Sequence, residues 1–435
     1  MVDLTFDNLP SADAEPRVSP RLRHVAAVVV GNALEFYDFL VYGFFAVYIG
    51  QAFFPSHNPA SGLLLTLATF GAGFLTRPIG AVVIGSIGDR VGRKPAMLLS
   101  FALMGVAIFG LALTPPYAAI GSAAPLLALF FRLLQGFALG GELGPSTAFL
   151  IEAAPPNRRA FYTSMQFVSQ NVAQLLAGGV GLLLAAAIDA EALRDWGWRL
   201  AMLIGALIVP FGLIVRRGLP ETLEAHSAES GAGDALFPAY AGLVVLFLLI
   251  IVSGTIGTYI GAYQATYALT VLHLPATTAF GVIVVRGLVA IPTVAFSGWL
   301  ADRIGRKPVM IVPTALLVAS ILPAFWLIGR GHGVTAFYAA IGWLSFLASF
   351  NGPAGMALFV ESLPMAVRCR VLSIGYAGMV ALFGGSAQFV VAWLTEFTHD
   401  PLSPAYYWIG AAGIGLIAMI MVRESVPALR RRRPV

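Results

Sequence analysis

Long apolar stretches alternate with short polar breaks along almost the whole chain. A helix needs about 20 mostly apolar residues to cross a hydrocarbon core about 30 Å thick, and twelve stretches meet this requirement. The predicted spans are Val25 to Phe53, Ser61 to Gly88, Pro95 to Thr114, Pro125 to Ala153, Ala160 to Ile188, Trp198 to Val215, Phe237 to Leu269, Pro275 to Leu300, Val309 to Ile328, Val334 to Val360, Val371 to Leu394, and Pro404 to Met421. The pattern therefore predicts an all-α polytopic membrane protein with twelve transmembrane helices.

The overall composition excludes an ordinary soluble protein. The 435 residues are 58% hydrophobic and only 11% charged, with a mean hydropathy of +0.84, whereas about 25% of residues are charged in a soluble domain. The first 24 residues are polar and lack the apolar core and small-residue cleavage site of a signal peptide. We therefore expect the first span to act as its own insertion signal.

The basic residues fall almost entirely on one side of the predicted membrane. Only Arg194, Arg199 and Arg330 fall on the other side, so the positive-inside rule places both termini in the cytoplasm. This topology explains the net charge of +5 without nucleic-acid binding. The single cysteine, Cys369, lies on the cytoplasmic side and excludes an intrachain disulfide. The predicted cytoplasmic cations are Arg17, Arg21, Arg23, Arg90, Arg93, Lys94, Arg158, Arg159, Arg216, Arg217, Arg303, Arg306, Lys307, Arg368, Arg370, Arg423 and Arg430 to Arg433.

A long motif occurs twice, about half a chain apart. GSIGDRVGRKP begins at Gly85 and GWLADRIGRKP at Gly298, and a second pair, FLIEAAPPNRR and LFVESLPMAVR, follows further along each half. The chain is therefore predicted to be a duplicated six-helix unit whose halves rock about a solute site near the midplane. The expected segments are an N-terminal tail (1–24), a first bundle (25–215), a linker (216–236), a second bundle (237–422) and a basic tail (423–435).

The repeated motifs place acids and bases together at predicted helix ends. Such charges can pair across the two halves, closing the cytoplasmic side in one state and separating in the other. We favour a gate because the duplication retains the acids as well as the bases. The alternative is topogenic cations with solvated counter-charges. The predicted gate residues are Asp89, Arg90, Arg93, Glu152, Asp302, Arg303, Arg306 and Glu361.

At these motifs the sequence resembles the major facilitator superfamily. Further segments are similar to its metabolite:proton symporter family: GNALEFYDFLVYGFFA, GAGFLTRPIGAVVIG, RLLQGFALGGELG, FYTSMQFVSQNVAQ and LFGGSAQF. The resemblance covers nearly the whole chain and is closest to bacterial citrate:proton symporters. It implies two six-helix halves in a pseudo-twofold arrangement, a bacterial inner-membrane location surrounded by lipid, a monomer, and a solute cavity to which span four contributes.

Six charged side chains lie towards the middle of predicted spans, where each is a functional hypothesis because an unpaired charge in lipid is costly. Arg132, on span four, is the preferred ligand for a carboxylate because a guanidinium binds it with two parallel hydrogen bonds. Asp38 is the preferred proton carrier and Glu35, three residues earlier, the second choice. The alternative is a permanent ion pair between Asp38 and Arg132 that holds helices together.

Each of the other three buried charged residues has two possible roles. Arg77 either contacts the substrate or bonds helix carbonyls, and Glu142 either relays protons or packs between helices. Arg286 has no acidic neighbour at its depth, so a substrate carboxylate would serve as its counter-ion, which suits a di- or tricarboxylate. Its alternative partners are backbone carbonyls and a lipid phosphate.

Neutral polar side chains at helical spacing complete the predicted cavity. One stripe on span five and one tyrosine stripe on span seven recur every four residues, so each predicts a polar helix face. The predicted neutral solute ligands are Asn32, Tyr37, Gln135, Gln166, Gln170, Asn171, Tyr259 and Tyr263.

These observations predict proton-coupled uptake of a small organic anion, citrate-like by resemblance, by alternating access. The alternatives within transport are a zwitterion or another acid, such as proline, betaine, 2-oxoglutarate or shikimate. A membrane enzyme is disfavoured because no catalytic triad order, metal-spaced His/Cys cluster or phosphate loop is visible. A membrane sensor is disfavoured because the linker and tail leave no room for a signalling domain. No metal, cofactor or catalytic residue is expected.

Overall fold

A computed structural model describes residues 32–33, 36–91, 93–140, 154–155, 158–206, 232–330, 333–363 and 375–424. Every regular element within these ranges is helical. Glu35, Glu142 and Glu152 lie outside the described residues, as do the side chains of Asp89 and Arg93 and most of the predicted linker. Predictions that depend on them stay predictions.

The helices of the first half follow the predicted spans closely. Span one is bent by 68° between Phe36–Phe44 and Ala46–Phe53. Span two consists of Pro59–Leu75 and Arg77–Arg90, span three of Arg93–Leu113, span four of Ala123–Gly140 in its described part, and span five of Arg159–Ala187. A short helix, Tyr117–Ile120, precedes span four. After span five, Ala190–Ala192 and a π-helical turn, Leu193–Gly197, lead into the described start of span six at residues 198–206.

The second half has the same order of long helices. Span seven runs Ala232–Thr270, beginning five residues before its predicted start at Phe237, and span eight runs Ala276–Ile304. Span nine is Arg306–Gly329, and span ten is divided into Val334–Ala348 and Asn351–Ser362. Span eleven comprises Ala377–Met379, the π-helical Val380–Gly384 and Gly385–Thr398, and span twelve is Ser403–Met421.

The described helices are consistent with twelve membrane passages, although not every passage is described in full. Nine are long and apolar enough to cross a membrane, and the bent span one makes ten. Span three contributes the shorter apolar helix Leu98–Leu113, and span six is described only at its start. The described part of the chain therefore fits the predicted twelve-helix architecture.

Small residues bring the two halves into close contact. Gly178 and Gly181 on span five lie against the side chains of Ile283 and Phe280 on span eight. On the other side of the bundle, a Cβ atom at Gly71 of span two would lie 2.5 Å from the carbonyl oxygen of Gly385 on span eleven. Helices in lipid associate through such small residues because they let neighbouring helices approach.

Candidate transport site

A cavity of ≈ 250 Å³ lies between the two halves. Its first-half walls come from spans one, two and five, and its second-half walls from spans seven to twelve. The described part of span four, Ala123–Gly140, contributes no lining residue, which differs from the expectation drawn from the family resemblance. Drug-sized pockets span about 300–1,000 Å³, so this cavity suits a small metabolite.

Two arginines from opposite halves line this cavity, and none of its described lining residues is acidic. The Arg77 guanidinium, on span two, lies 4.1 Å from the Phe74 ring and 4.6 Å from the Phe39 ring. It also lies beside Tyr259 and Tyr376 of the second half. The cavity therefore carries positive charge that no described lining residue neutralises, and an anion would fill this need.

Arg286 supplies the second cation from the middle of span eight. Its Nη1 atom is buried and has no hydrogen-bond partner among the described residues. Its guanidinium lies directly against the backbone of span seven at Gly261, because that residue has no side chain. A buried donor without a partner is costly, which makes Arg286 available to a solute carboxylate.

Neutral polar groups line the same cavity, and several of them have a buried atom without a hydrogen-bond partner among the described residues. Gln170 and Asn171, both predicted, lie on its wall with Gln174, Gln264 and Asn351. Nε2 of Gln174, Oε1 of Gln264 and Oδ1 of Asn351 are buried without a hydrogen-bond partner among the described residues. The wall therefore offers both donors and acceptors to a polar solute.

Arg132 lies behind the cavity wall in this structure. It is 1% exposed, donates a hydrogen bond to Oε1 of Gln135 and another to the carbonyl oxygen of Phe70 at 3.4 Å. Its guanidinium also lies over the Tyr42 ring, at 4.3 Å. Neither Arg132 nor Gln135 lines the cavity, so their contact with the solute stays a prediction that this conformation does not display.

Asp38 faces span six rather than Arg132. A Cβ atom at Gly205 of span six would overlap its Oδ1 atom, and Oδ1 has no hydrogen-bond partner among the described residues. The ion pairs found in the described part of the chain do not include Asp38 or Arg132. The structure therefore shows no sign of the alternative in which these two residues form a permanent ion pair.

Two predicted solute ligands, Asn32 and Tyr37, bind neighbouring helices instead. The Asn32 amide donates to Oγ of Ser169 at 2.7 Å and to the carbonyl oxygen of Gln166 at 3.3 Å, which joins span one to span five. The Tyr37 hydroxyl donates to the carbonyl oxygen of Ala201 on span six at 3.2 Å. Asn32, Tyr37 and Gln166 do not line the cavity.

The tyrosine stripe of span seven is divided between two cavities. Tyr259 lines the cavity with the arginines, whereas Tyr263 lines a second one of ≈ 550 Å³ between spans one, two, seven and eleven. The Tyr267 hydroxyl donates to the carbonyl oxygen of Pro401 at 2.9 Å. Trp408, which the sequence analysis missed, also lines the first cavity. Its place near a span end is typical of an aromatic belt, so no pattern signalled it.

Three of the predicted gate residues that are described, Asp302, Arg306 and Glu361, form a network where spans five, eight, nine and ten meet. Arg306 pairs with Asp302 at 3.0 Å and with Glu361 at 2.9 Å. Asp302 also accepts hydrogen bonds from the backbone N–H groups of Ala160 and Phe161, at 3.1 and 2.9 Å. Among the described gate residues, the contact between halves is thus a carboxylate at a helix N-terminus, whereas the predicted pairing was between charged side chains.

The remaining described gate residues stay at the periphery. The Arg303 guanidinium lies 4.1 Å from the Trp299 ring, and Arg90 is exposed. The carboxylate of Glu424, just after span twelve, accepts hydrogen bonds from the backbone N–H groups of Arg306 and Lys307 at 3.1 and 2.9 Å. A second acid therefore binds a helix N-terminus at this end of the bundle.

This arrangement of helices around a polar cavity between two halves defines a membrane transporter. The solved structure of the xylose transporter XylE from E. coli, in a partially occluded inward-open conformation, matches with a TM-score of 0.75 at 16% identity, covering 95% of this chain and 99% of that chain. At this identity the likeness establishes the fold alone, which is that of the major facilitator superfamily.

Sequence comparisons define the family. The model of the "Sugar (and other) transporter" family matches residues 24–238. A citrate-proton symporter of Klebsiella pneumoniae is 37% identical, covering 95% of this chain and 94% of the relative. The alpha-ketoglutarate permease of Escherichia coli (strain K12) is 33% identical, covering 95% and 98%. The chain belongs to the metabolite:proton symporter family of the major facilitator superfamily. It is a multi-pass transporter of the bacterial inner membrane, not an enzyme.

Proposed function

We propose that this protein imports a small organic anion together with protons, and that the anion is a tricarboxylate or dicarboxylate, with citrate as the first candidate. The observation that carries the proposal is the pair of arginines, Arg77 and Arg286, that face one cavity from opposite halves with no acidic residue among its described walls. An anion bridging both halves would neutralise both charges and bind the halves together.

The charge of the cavity favours a di- or tricarboxylate over a zwitterion. A dianion can place one carboxylate at each guanidinium, whereas the cationic group of proline or betaine would lie close to an unneutralised arginine. The relatives support the same class, since two are named citrate-proton symporters and one an alpha-ketoglutarate permease. Relatives named putative proline/betaine transporters are 32% identical, which makes the zwitterion the second candidate.

The remaining features of the transport cycle belong to the same proposal. Asp38 carries the proton, with Glu35 and Glu142 as the alternatives. The Asp302, Arg306 and Glu361 network closes the side of the membrane that carries the basic loops, which is the cytoplasmic side and holds both termini. Residues 25–215 and 237–422 form the two halves, the linker covers 216–236, and the protein functions as a monomer surrounded by lipid.

The decisive experiment measures labelled citrate uptake into proteoliposomes under an imposed inward proton gradient. The parent protein is compared with Arg77→Gln and Arg286→Gln. Removing one member of a buried charge pair costs about 2–5 kcal/mol, so we expect each variant to lose about thirtyfold or more in apparent affinity. Arg330→Gln is the matched control, because Arg330 is exposed and lies over the Trp326 ring, 3.7 Å away, outside the cavity.

The outcomes separate the substrate from the mechanism. If the parent protein does not transport citrate but accumulates betaine or proline, the carboxylate proposal is overturned. Uptake that equilibrates but never accumulates under the gradient would overturn proton coupling. Cavity variants that behave like Arg330→Gln would show that Arg77 and Arg286 do not bind the anion.

A further inference from the structure

Span seven meets the guanidinium of Arg286 at a residue with no side chain. A Cβ atom built on Gly261 would overlap Nη2 and Cζ of Arg286 and lie 2.5 Å from its Nη1. Ordinary contact begins at 3.4 Å. The guanidinium of span eight therefore occupies the space that any side chain at position 261 would fill.

The contact is specific to this glycine. Gly254, one of the cavity-lining residues of the same helix, has room for a Cβ atom, which would make only an ordinary contact with Nδ2 of Asn351 at 3.6 Å. Gly257 lies against the ring of Trp408, with Nε1 at 2.8 Å. Of these three glycines, only Gly261 is in contact with a charged group.

We infer that Gly261 is a positioning residue that sets the depth of Arg286 in the cavity wall and thereby the size of the anion that fits. This inference rests on the proposed function of Arg286 as a carboxylate ligand. With Gly261 the guanidinium lies back against span seven and leaves the space in front of it for the solute. With a larger residue the guanidinium must move forward into a cavity of only ≈ 250 Å³.

Displacing the guanidinium is easier than displacing the helix. The atoms in contact belong to the far end of a long side chain, and Nη1 has no hydrogen-bond partner among the described residues to hold it. An alanine at position 261 would therefore move Arg286 by about 1 Å while the fold is retained. The resulting cavity would still carry its charge but would be shorter between Arg286 and the opposite wall.

The test compares Gly261→Ala with the parent for a six-carbon tricarboxylate and a four-carbon dicarboxylate. Uptake of labelled citrate gives KM and the maximal rate, and competition by unlabelled succinate gives its inhibition constant. One methyl group in a tight pocket changes discrimination by about 10-fold or more. We expect the KM for citrate to rise by about that factor, while the succinate constant and the maximal rate change much less.

Two glycine variants on span seven act as references. Gly242→Ala adds the same methyl group where no other atom lies within 4 Å, and we expect parent values for it. Gly254→Ala adds a methyl group to the cavity wall without contact with Arg286, so it measures the effect of lost space alone. An equal loss for citrate and succinate in Gly261→Ala, or the same selectivity change in Gly254→Ala, would overturn the inference.

A structure of the Gly261→Ala protein gives a readout that does not depend on the substrate. We expect the guanidinium of Arg286 to have moved into the cavity with span seven in place. A guanidinium that keeps its position while span seven shifts would refute the role of Gly261. If the parent transports no citrate, the proposed function fails by that result alone, and this structural comparison still decides how Arg286 is positioned.

Discussion

Several buried polar groups without partners line the cavity between the halves. Five residues with a buried atom that has no hydrogen-bond partner among the described residues line that cavity: Arg77, Gln174, Gln264, Arg286 and Asn351. An unsatisfied buried group costs about 1–3 kcal/mol. A polar solute that hydrogen-bonds to these groups reduces this cost. The cavity walls therefore favour binding of a polar ligand.

Asp38 differs from these residues because it lies outside the cavity lining, against Gly205 of span six. Asn at position 38 keeps the shape of the side chain but cannot bind or release a proton. We therefore expect Asp38→Asn to exchange external for internal citrate at a rate near that of the parent, while gradient-driven accumulation is lost. Counterflow and accumulation assays on the same proteoliposomes measure the two activities separately.

Asp195→Asn is the matched control, because the Asp195 side chain is 58% exposed and its ion pair among the described residues is with the exposed Arg194 at 3.2 Å. Full accumulation by Asp38→Asn would contradict the assignment. Glu35→Gln and Glu142→Gln would then identify the proton carrier by the same pair of assays.

At the scale of helices, three spans are interrupted at or next to residues that line the cavity. Span two breaks at Thr76, so that Arg77 begins a new helix with Pro78, whose missing N–H is not required there. Span ten breaks before Asn351, which begins its second helix, and span eleven becomes π-helical at Val380–Gly384. Arg77, Asn351 and Val380 all line the cavity. Irregular backbone in a membrane is tolerated where protein or a cavity surrounds it.

The contact between Asp302 and the first residues of span five links the two halves. A carboxylate at a partly buried helix N-terminus contributes up to about 2 kcal/mol, and an asparagine removes the charge and leaves at most one good acceptor. We expect Asp302→Asn to favour separation of spans five and eight. The readout is alkylation of Ser164→Cys in a Cys369→Ser background, since Ser164 is fully buried beside Gly298 of span eight.

The expected result in purified protein is about tenfold faster labelling of the thiol at position 164 when Asp302 is replaced. Asp189→Asn is the control, because the Asp189 carboxylate also accepts a backbone N–H at a helix start, that of Ala192 at 2.7 Å, away from the interface between halves. Labelling that stays slow in Asp302→Asn would show that this contact does not close the gate.

At the scale of the whole molecule, the two ends of the bundle differ in charge. One end carries the described basic residues Arg90, Arg303, Arg306 and Lys307. The opposite end, where spans five and nine finish, carries Arg194, Arg199 and Arg330. The proposed orientation places the first end in the cytoplasm.

The single cysteine tests this orientation directly. Cys369 lies outside the described residues, and the sequence places it in the loop after span ten at the basic end. We expect a membrane-impermeant maleimide to spare Cys369 in intact cells and to label it in inside-out vesicles. Glu191→Cys in a Cys369→Ser background should show the reverse, because the Glu191 side chain is 80% exposed at the other end. Labelling of Cys369 in intact cells would invert the topology.

The sequence by itself determined the class of the protein, the order of its spans, the duplication and the family. The requirements that lipid places on a membrane-spanning helix can be read from the linear sequence. Each span must be apolar, long enough to cross the bilayer, and able to satisfy its own backbone hydrogen bonds. Observed helices such as Arg159–Ala187 and Ser403–Met421 therefore lie within one residue of the predicted ends.

Only the tertiary structure decided which buried side chains share a cavity. The sequence favoured Arg132 over Arg77 as the solute ligand, yet Arg77 lines the cavity, whereas Arg132 is enclosed beside Tyr42 and Phe70. Four residues of helix advance about 6 Å and overshoot a full turn by about 40°, so Tyr259 and Tyr263 reach different cavities. The role of Gly261 depends on a side chain from another helix. Rotation about the helix axis and the identity of neighbours across the bundle leave no periodic signal in the chain.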